Sequence, residues 1–402
     1  MRMKIIVLIG VFLATGLMSW RGYHYFFDAS SPECLLTGIE NNNFYAGDVY
    51  CILAGNDGFK VSDISVWLDG TPLLTKYKIN SRRFEHPFTV PTKTLPNGKH
   101  ILKVEVTNGT YSRKKIVEER SFFVDNDPLQ AAFVRPESDL KVFQGRTLHL
   151  QFQVNKDIDH AVATAFSNNF ECFPESKNSR IYECFIPISC EEVPSEYVAS
   201  VDIVDKTGRT CRLDGKFQVI MFPFKKQLLH VSAEKMKLEH ELGVSNDLLE
   251  GELEKLAKLS PKEKLWAGTF YPPIEIQAVS TDFGTIRTTQ EKGRYVHKAV
   301  DVLNTPKSVV WAPQDGIVVV KNRYAHSGNT VVIDHGCGIL SLFFHLDDFA
   351  DITPGKKIKR GSPLGTLGKT GYASGYHLHW EMRINNIQID PLQWIKPNFL
   401  VS

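Results

Sequence analysis

The sequence predicts a mainly β protein, made of several β modules with one short helical stretch between them. Three observations predict it. Apolar and polar residues alternate with period two from about residue 30 to 222, and the period turns helical between 223 and 265. Beyond Trp266, short Val- and Ile-rich runs are separated by Gly, Pro and Asn clusters. At 402 residues, 43% apolar and 23% charged, the chain has ample material for several cores. Forty-seven basic against forty-five acidic side chains leave a net +2. That balance exerts no global pull on nucleic acid, and no nucleic-acid partner is expected.

The amino end carries Arg2 and Lys4, then runs uncharged from Ile5 to Trp20 before Arg21. As a helix those residues cover about 24 Å, short of the roughly 30 Å of bilayer hydrocarbon. Segment 1–21 therefore reads as a signal peptide or a short signal-anchor. Ala14-Thr15-Gly16 offers a cleavage site, while Trp20, Tyr23 and Tyr25 suit an interfacial aromatic belt and tilt the reading toward an anchor. Either reading exports the remainder to the periplasm or cell envelope, with the membrane as a partner if the leader is kept. Cysteine usage agrees. Cys34, Cys51, Cys172, Cys184, Cys190 and Cys211 precede residue 212 without zinc-ribbon spacing, an even number fit for three disulfides. Nearest-neighbour pairing (34–51, 172–184, 190–211) is the expectation. Cys337, between two glycines, reads as a turn residue.

Two β modules follow, 30–126 and 127–222. Ile64, Val66 and Leu68 alternate with polar or amphipathic neighbours, as do Leu102, Val104 and Val106, then Leu148, Leu150, Phe152 and Val154, then Tyr197, Ala199, Val201 and Ile203. Each run ends at a turn signal, and the Asp125-Asn126-Asp127-Pro128 break separates the modules. Units of about 95 residues with this texture suit two tandem Ig-like sandwiches acting as spacers or recognition modules. Residues 223–265 form a helical linker in which Leu249, Leu253 and Leu256 recur at helical spacing, capped by Ser245 or Asn246 and stopped at Ser260-Pro261.

The last domain, 266–402, holds six of the thirteen histidines. Val296, Val300 and Val302 favour extended backbone around His297 and Asp301, so these two, four apart, would share a strand face. His377 and His379, two apart, would share another, and His345 ends a third apolar run. Two such pairs on neighbouring strands can close round one metal ion. Three protein ligands and an open position are what a hydrolytic zinc site needs, leaving two histidines for proton transfer and oxyanion stabilisation.

These elements, in this order, resemble the lysostaphin/LytM-type zinc metallopeptidases that cleave peptidoglycan peptides. The resemblance extends to Asp282-Phe283-Gly284 with Arg287, to 310–318, to 328–336, to Gly361–Gly365 and to Gly368–Gly371 leading into His377-Leu378-His379. It implies an antiparallel β-sheet peptidase domain with His297, Asp301 and His379 as ligands of one Zn2+ per chain. It implies His377 as general base and His345 as the histidine stabilising the developing oxyanion. Phe343-Phe344 before His345, and Tyr376 before His377, depart from the family pattern and narrow the expected groove. Tyr295, two residues before the first ligand, is a candidate oxyanion contact. His335 reads as turn packing and His326 as a surface-loop residue without a role. Lys356, Lys357, Lys359 and Arg360 read as a solvated turn.

The expectation is thus an exported zinc metalloendopeptidase in which zinc-activated water cleaves peptidoglycan stem-peptide cross-links. The alternative is a non-enzymatic regulator of another wall hydrolase, which would have no need of an intact ligand set. Which cross-link is cut, and whether a regulatory partner relieves a latent site, are left open by the residues.

Overall fold

The computed structural model describes residues 2–27, 30–228, 247–289, 293–397 and 399. Strands dominate it, in line with the expected mainly β class. The chain divides into two compact units, 1–129 with 205–209, and 130–204 with 210–402.

Helix Arg2–Phe27 opens the first unit. Among the described residues no helix is long and apolar enough to cross a membrane, so the expected anchor finds no support there. Six strands follow in one continuous sheet. Its spine is Val49–Leu68, which pairs with Glu33–Thr37 along 52–56 and with Gly98–Asn108 along 61–68. A strand of 20 residues that changes partner halfway links through hydrogen bonds what would otherwise be separate sheets. Ile64, Val66, Leu102, Val104 and Val106 are fully buried, as their alternation requires.

In the second unit, residues 131–220 form a five-stranded and a four-stranded sheet. The C-terminal region beyond them centres on an eight-stranded sheet. Its order is Ala278–Thr281, Val300–Leu303, Leu378–Ile384, Ile339–Leu346, Gly328–Asp334, Gly316–Tyr324 and Lys357–Ile358, with Ile387–Ile389 also on Leu378–Ile384. Ile339–Leu346 is buried at every position because both faces of the sheet are covered. Ile339, Phe343, Val331, Ile333, Leu378, Trp380 and Met382 enter the main core. Leu340, Leu342, Phe344 and Val332 point the other way, onto helix 247–259 through Leu249 and Leu253. The proposed caps Ser245 and Asn246 lie outside the described residues. At the other end Ser260 Oγ donates to Asp334 Oδ1 at 2.7 Å. The two halves of this unit interlock: Trp394 Nε1 donates to Thr147 Oγ1 at 3.1 Å, Arg146 pairs with Asp390 at 2.8 Å, and Lys264 joins the buried His149–Glu183 pair.

The disulfide expectation is corrected: all seven cysteines are free thiols. Register explains two of the three cases. Cys34 faces Gly55, four residues from Cys51, an offset of about 13 Å along the strand against a bridging limit of about 7 Å between Cα atoms. Ser189, beside Cys190, bonds to Gly145, next to Gln144, which bonds to Ile220, and Cys211 lies nine residues back along that strand. Cys172 and Cys184 stand at opposed positions of one hairpin, flanking the Phe173–Glu183 pair, yet both remain thiols.

Candidate metal centre

His297, Asp301 and His379 come together from three strands. Asp301, in Val300–Leu303, is the direct cross-strand partner of His379 in Leu378–Ile384, and Phe344 flanks His379 on the other side. His297 ends Gly293–His297, part of a separate three-stranded sheet with Lys226–Leu228 and Thr285–Thr289. The expectation that His297 and Asp301 share one strand is therefore corrected. Extended pairing breaks at Lys298-Ala299, where the chain passes between sheets, and the two side chains meet across the break.

The geometry is close. His297 Nε2 lies 3.2 Å from Asp301 Oδ2, and His379 Nδ1 lies 2.9 Å from Asp301 Oδ1. One ligand atom from each residue falls within 4.8 Å of the others. Two imidazole nitrogens and a carboxylate oxygen, mostly buried and aimed at one another, are a donor set that fits a divalent transition metal. Burial alone would raise the Asp301 carboxyl, but its hydrogen bonds to His297 and His379 hold it well below the usual carboxylate range. Burial pushes His297 down. Burial opposes charge on His379 too, yet hydrogen bonds to Asp301 and Glu381 outweigh it and lift this residue to about 9. A metal taking Nδ1 would displace that proton.

His345 and His377 line the same groove, their ring centroids 4.8 Å apart. His345 holds a positive φ of 62°, a strained position for a residue with a Cβ. Its backbone N–H donates to Ser327 O at 2.9 Å and its Nδ1 donates to Thr370 O at 2.8 Å, which hold it there. His377, just before its strand, donates Nδ1–H to Gly375 O at 3.0 Å, and its Nε2 lies 3.8 Å from Asp301 Oδ1. A carbonyl only accepts, so both rings carry their proton on Nδ1 and, when neutral, keep a lone pair on Nε2. Burial, followed by the charges of His379 and His377, drives His345 down to about 3 and keeps it neutral.

A groove of about 760 Å³ contains all five of these residues together with Tyr295, Arg287 and His326. His326, given no role from sequence, stacks on Tyr372 at 5.5 Å on the groove wall. Phe344 stacks flat on His379, with centroids 5.0 Å apart. His335 is fully buried between Asp315 O and Ser341 Oγ, and Lys359 of the basic turn pairs with Asp315. Residues that sequence reasoning missed surround His379: Glu381 on its Nε2, Arg383 on Glu381, and Glu250 on Arg383. Glu381 and Arg383 share the strand face of His379 by period two, a signal present in the sequence.

Residues 295–391 match Peptidase family M23. The C-terminal region carries an M23 domain. Among similar proteins, the peptidoglycan DD-endopeptidase ShyC of Vibrio cholerae is 31% identical over 120 residues, 30% of this chain and 28% of that protein. The DD-carboxypeptidase/endopeptidase Mpg of Neisseria meningitidis is 32% identical over 125 residues, 31% of this chain and 29% of that protein. The match thus spans under a third of the length of these curated relatives. A crystal structure of a putative peptidase M23 from Pseudomonas aeruginosa overlaps 63% of this chain and 95% of its own, at 21% identity and a TM-score of 0.47. All five histidine and aspartate positions lie inside the matched M23 segment.

Proposed function

We propose that this chain is an exported zinc metalloendopeptidase that hydrolyses peptide cross-links of peptidoglycan. The observation that carries the reading is the convergence of one ligand atom each from His297, Asp301 and His379 within 4.8 Å inside the M23 domain. Relatives named as peptidoglycan DD-endopeptidases support the substrate class and the envelope location. His297, Asp301 and His379 would hold one zinc per chain, which when bound supplies Lewis acidity toward the scissile carbonyl and an activated water.

The remaining steps belong to the protein's own side chains. His377 is the general base: its Nε2 lone pair is nearest the ligand set, and Gly375 O fixes its tautomer. The proton it takes returns to the leaving amine. His345, held neutral and also with a bare Nε2, acts beside it by accepting a hydrogen bond there. Tyr295 and Arg287 shape the groove wall. Upstream, 30–126 and 127–222 serve as Ig-like spacer modules ahead of the linker 223–265, which carries strand Lys226–Leu228 and helix 247–259, and the peptidase domain 266–402. In both modules a short early strand pairs in parallel with the last one, Phe44–Tyr45 with 123–124 and Lys141–Phe143 with 218–220, which supports that reading.

Incubating zinc-loaded protein with purified sacculi, then resolving muropeptides by mass spectrometry, tests the proposal. Cross-linked dimers should fall and monomers rise, with the conversion abolished by a chelator. Intact dimers after treatment with folded, zinc-loaded protein, both full-length and trimmed of its upstream modules, would overturn it.

A further inference from the structure

His379 is held at both ring nitrogens. Nδ1 faces Asp301, and Nε2 meets Glu381 Oε1 at 3.1 Å. Glu381 Oε2 in turn accepts from Arg383 Nε at 2.8 Å. The Arg383 side chain is 1% exposed, so every N–H of its fork must find a protein partner. Its outer edge finds Glu250, with Nη1 to Oε2 at 2.6 Å and Nη2 to Oε1 at 2.8 Å, a bidentate pair. Nη1 also donates to Asn386 Oδ1 at 3.0 Å.

Glu250 is not part of the matched M23 segment. It sits on helix 247–259, which docks through Leu249 and Leu253 onto the sheet face that includes Phe344. Phe344 lies flat on the His379 ring, with an interplanar angle of 7°. The helix therefore reaches one metal ligand twice, through a charged chain at the ring edge and an apolar stack on the ring face. A guanidinium held by Glu381 and Asn386 alone would keep two outer N–H groups without an acceptor and would shift toward whatever oxygen it could reach. Glu250 removes that demand and leaves Glu381 committed to His379.

We propose that helix 247–259 positions the metal ligand His379 through the chain Glu250–Arg383–Glu381, so that docking of the linker helix sets the affinity of the site for zinc. Glu250, Arg383 and Glu381 are positioning residues: none reaches the reacting atoms, and each acts through the next. The proposal rests on the zinc reading above. By linkage, zinc also holds the helix down, since whatever favours the docked state favours the metal and the reverse.

Glu252 supplies the control. It lies on the same helix and accepts from Tyr324 Oη at 2.6 Å, outside the chain to His379. Zinc affinity of the full-length protein is measured by competition with a chromophoric chelator, for wild type, Glu250→Gln and Glu252→Gln, alongside the melting midpoint of each metal-free protein. Glu250→Gln should weaken zinc by more than about twofold and by up to about tenfold, the lower figure for losing a partner bonded directly to a ligand, because Glu250 acts two residues further back. Glu252→Gln should stay within about twofold of wild type even if its midpoint drops as far. Equal affinity for wild type and Glu250→Gln would overturn the proposal. So would an equal loss in both variants, which would reduce the effect to helix stability. No stoichiometric zinc in wild type would overturn the metal reading itself, and this inference with it.

Discussion

Two histidines of the M23 domain shift in opposite directions, His335 fully buried and His379 partly exposed. His335 has only the Asp315 carbonyl and the Ser341 hydroxyl, and burial pushes it down to about 4 from 6.5. His379 meets the same burial penalty, but two carboxylates hold its proton. The His335 shift fixes a sign. The unfolded chain takes up this proton near pH 6.5 and the native fold resists until about 4, so stability present at neutral pH is lost as pH falls through that window. The loss reaches about 3 kcal/mol at full extent. Urea unfolding at pH 7 and pH 4.5 should show a smaller drop for His335→Gln than for wild type, and equal drops would contradict the assignment. Spacing brought out His297, Asp301, His345, His377 and His379 as candidates and the family resemblance gave them roles, because chemistry of this kind needs those residue types at close quarters. It did not mark Glu381, whose importance depends on which ring nitrogen of His379 faces Asp301, a matter of rotamer.

At the scale of elements, the helix is the instructive case. Its Leu249, Leu253 and Leu256 spacing was readable, since an amphipathic stripe announces a buried face. Its polar contacts were not, because Glu250 and Glu252 meet Arg383 and Tyr324, 133 and 72 residues away. Leu253 is fully buried against the sheet. Leu253→Ala should cost about 2–5 kcal/mol of helix docking. Hydrogen exchange should then rise along 247–259 while Ile339–Leu346 stays protected. Unchanged exchange along the helix would mean that Leu253 does not hold it. The run Val296–Val302 shows the limit of periodicity. It read as one strand, but a two-residue break sends His297 and Asp301 to different sheets, and only tertiary packing returns them to contact. In the first β module, period two located the stretches 64–68 and 102–106, but not strand Thr71–Val90 or the exchange of partners along Val49–Leu68.

For the whole molecule, period-two alternation and abundant apolar residues set a multi-module β protein without naming its task. The proposed task rests on the segment matched over 295–391, and the upstream modules carry no comparable constellation among the described residues. Cysteine parity misled: register separates two of the expected pairs, and Cys172 and Cys184 stay thiols although they stand opposed. Alkylation of the denatured protein should find seven thiols. Protection of Cys34 or Cys51 as a mutual pair would contradict the strand register that keeps them apart. The central claim is that three residues hold zinc and a fourth, which does not hold it, moves the proton. Zinc content and muropeptide release, measured together on wild type, Asp301→Ala and His377→Ala, test it most directly. One zinc per chain with activity in wild type, neither in Asp301→Ala, and one zinc without activity in His377→Ala is the predicted result. Full activity in His377→Ala, or zinc retained at wild-type affinity by Asp301→Ala, would contradict it.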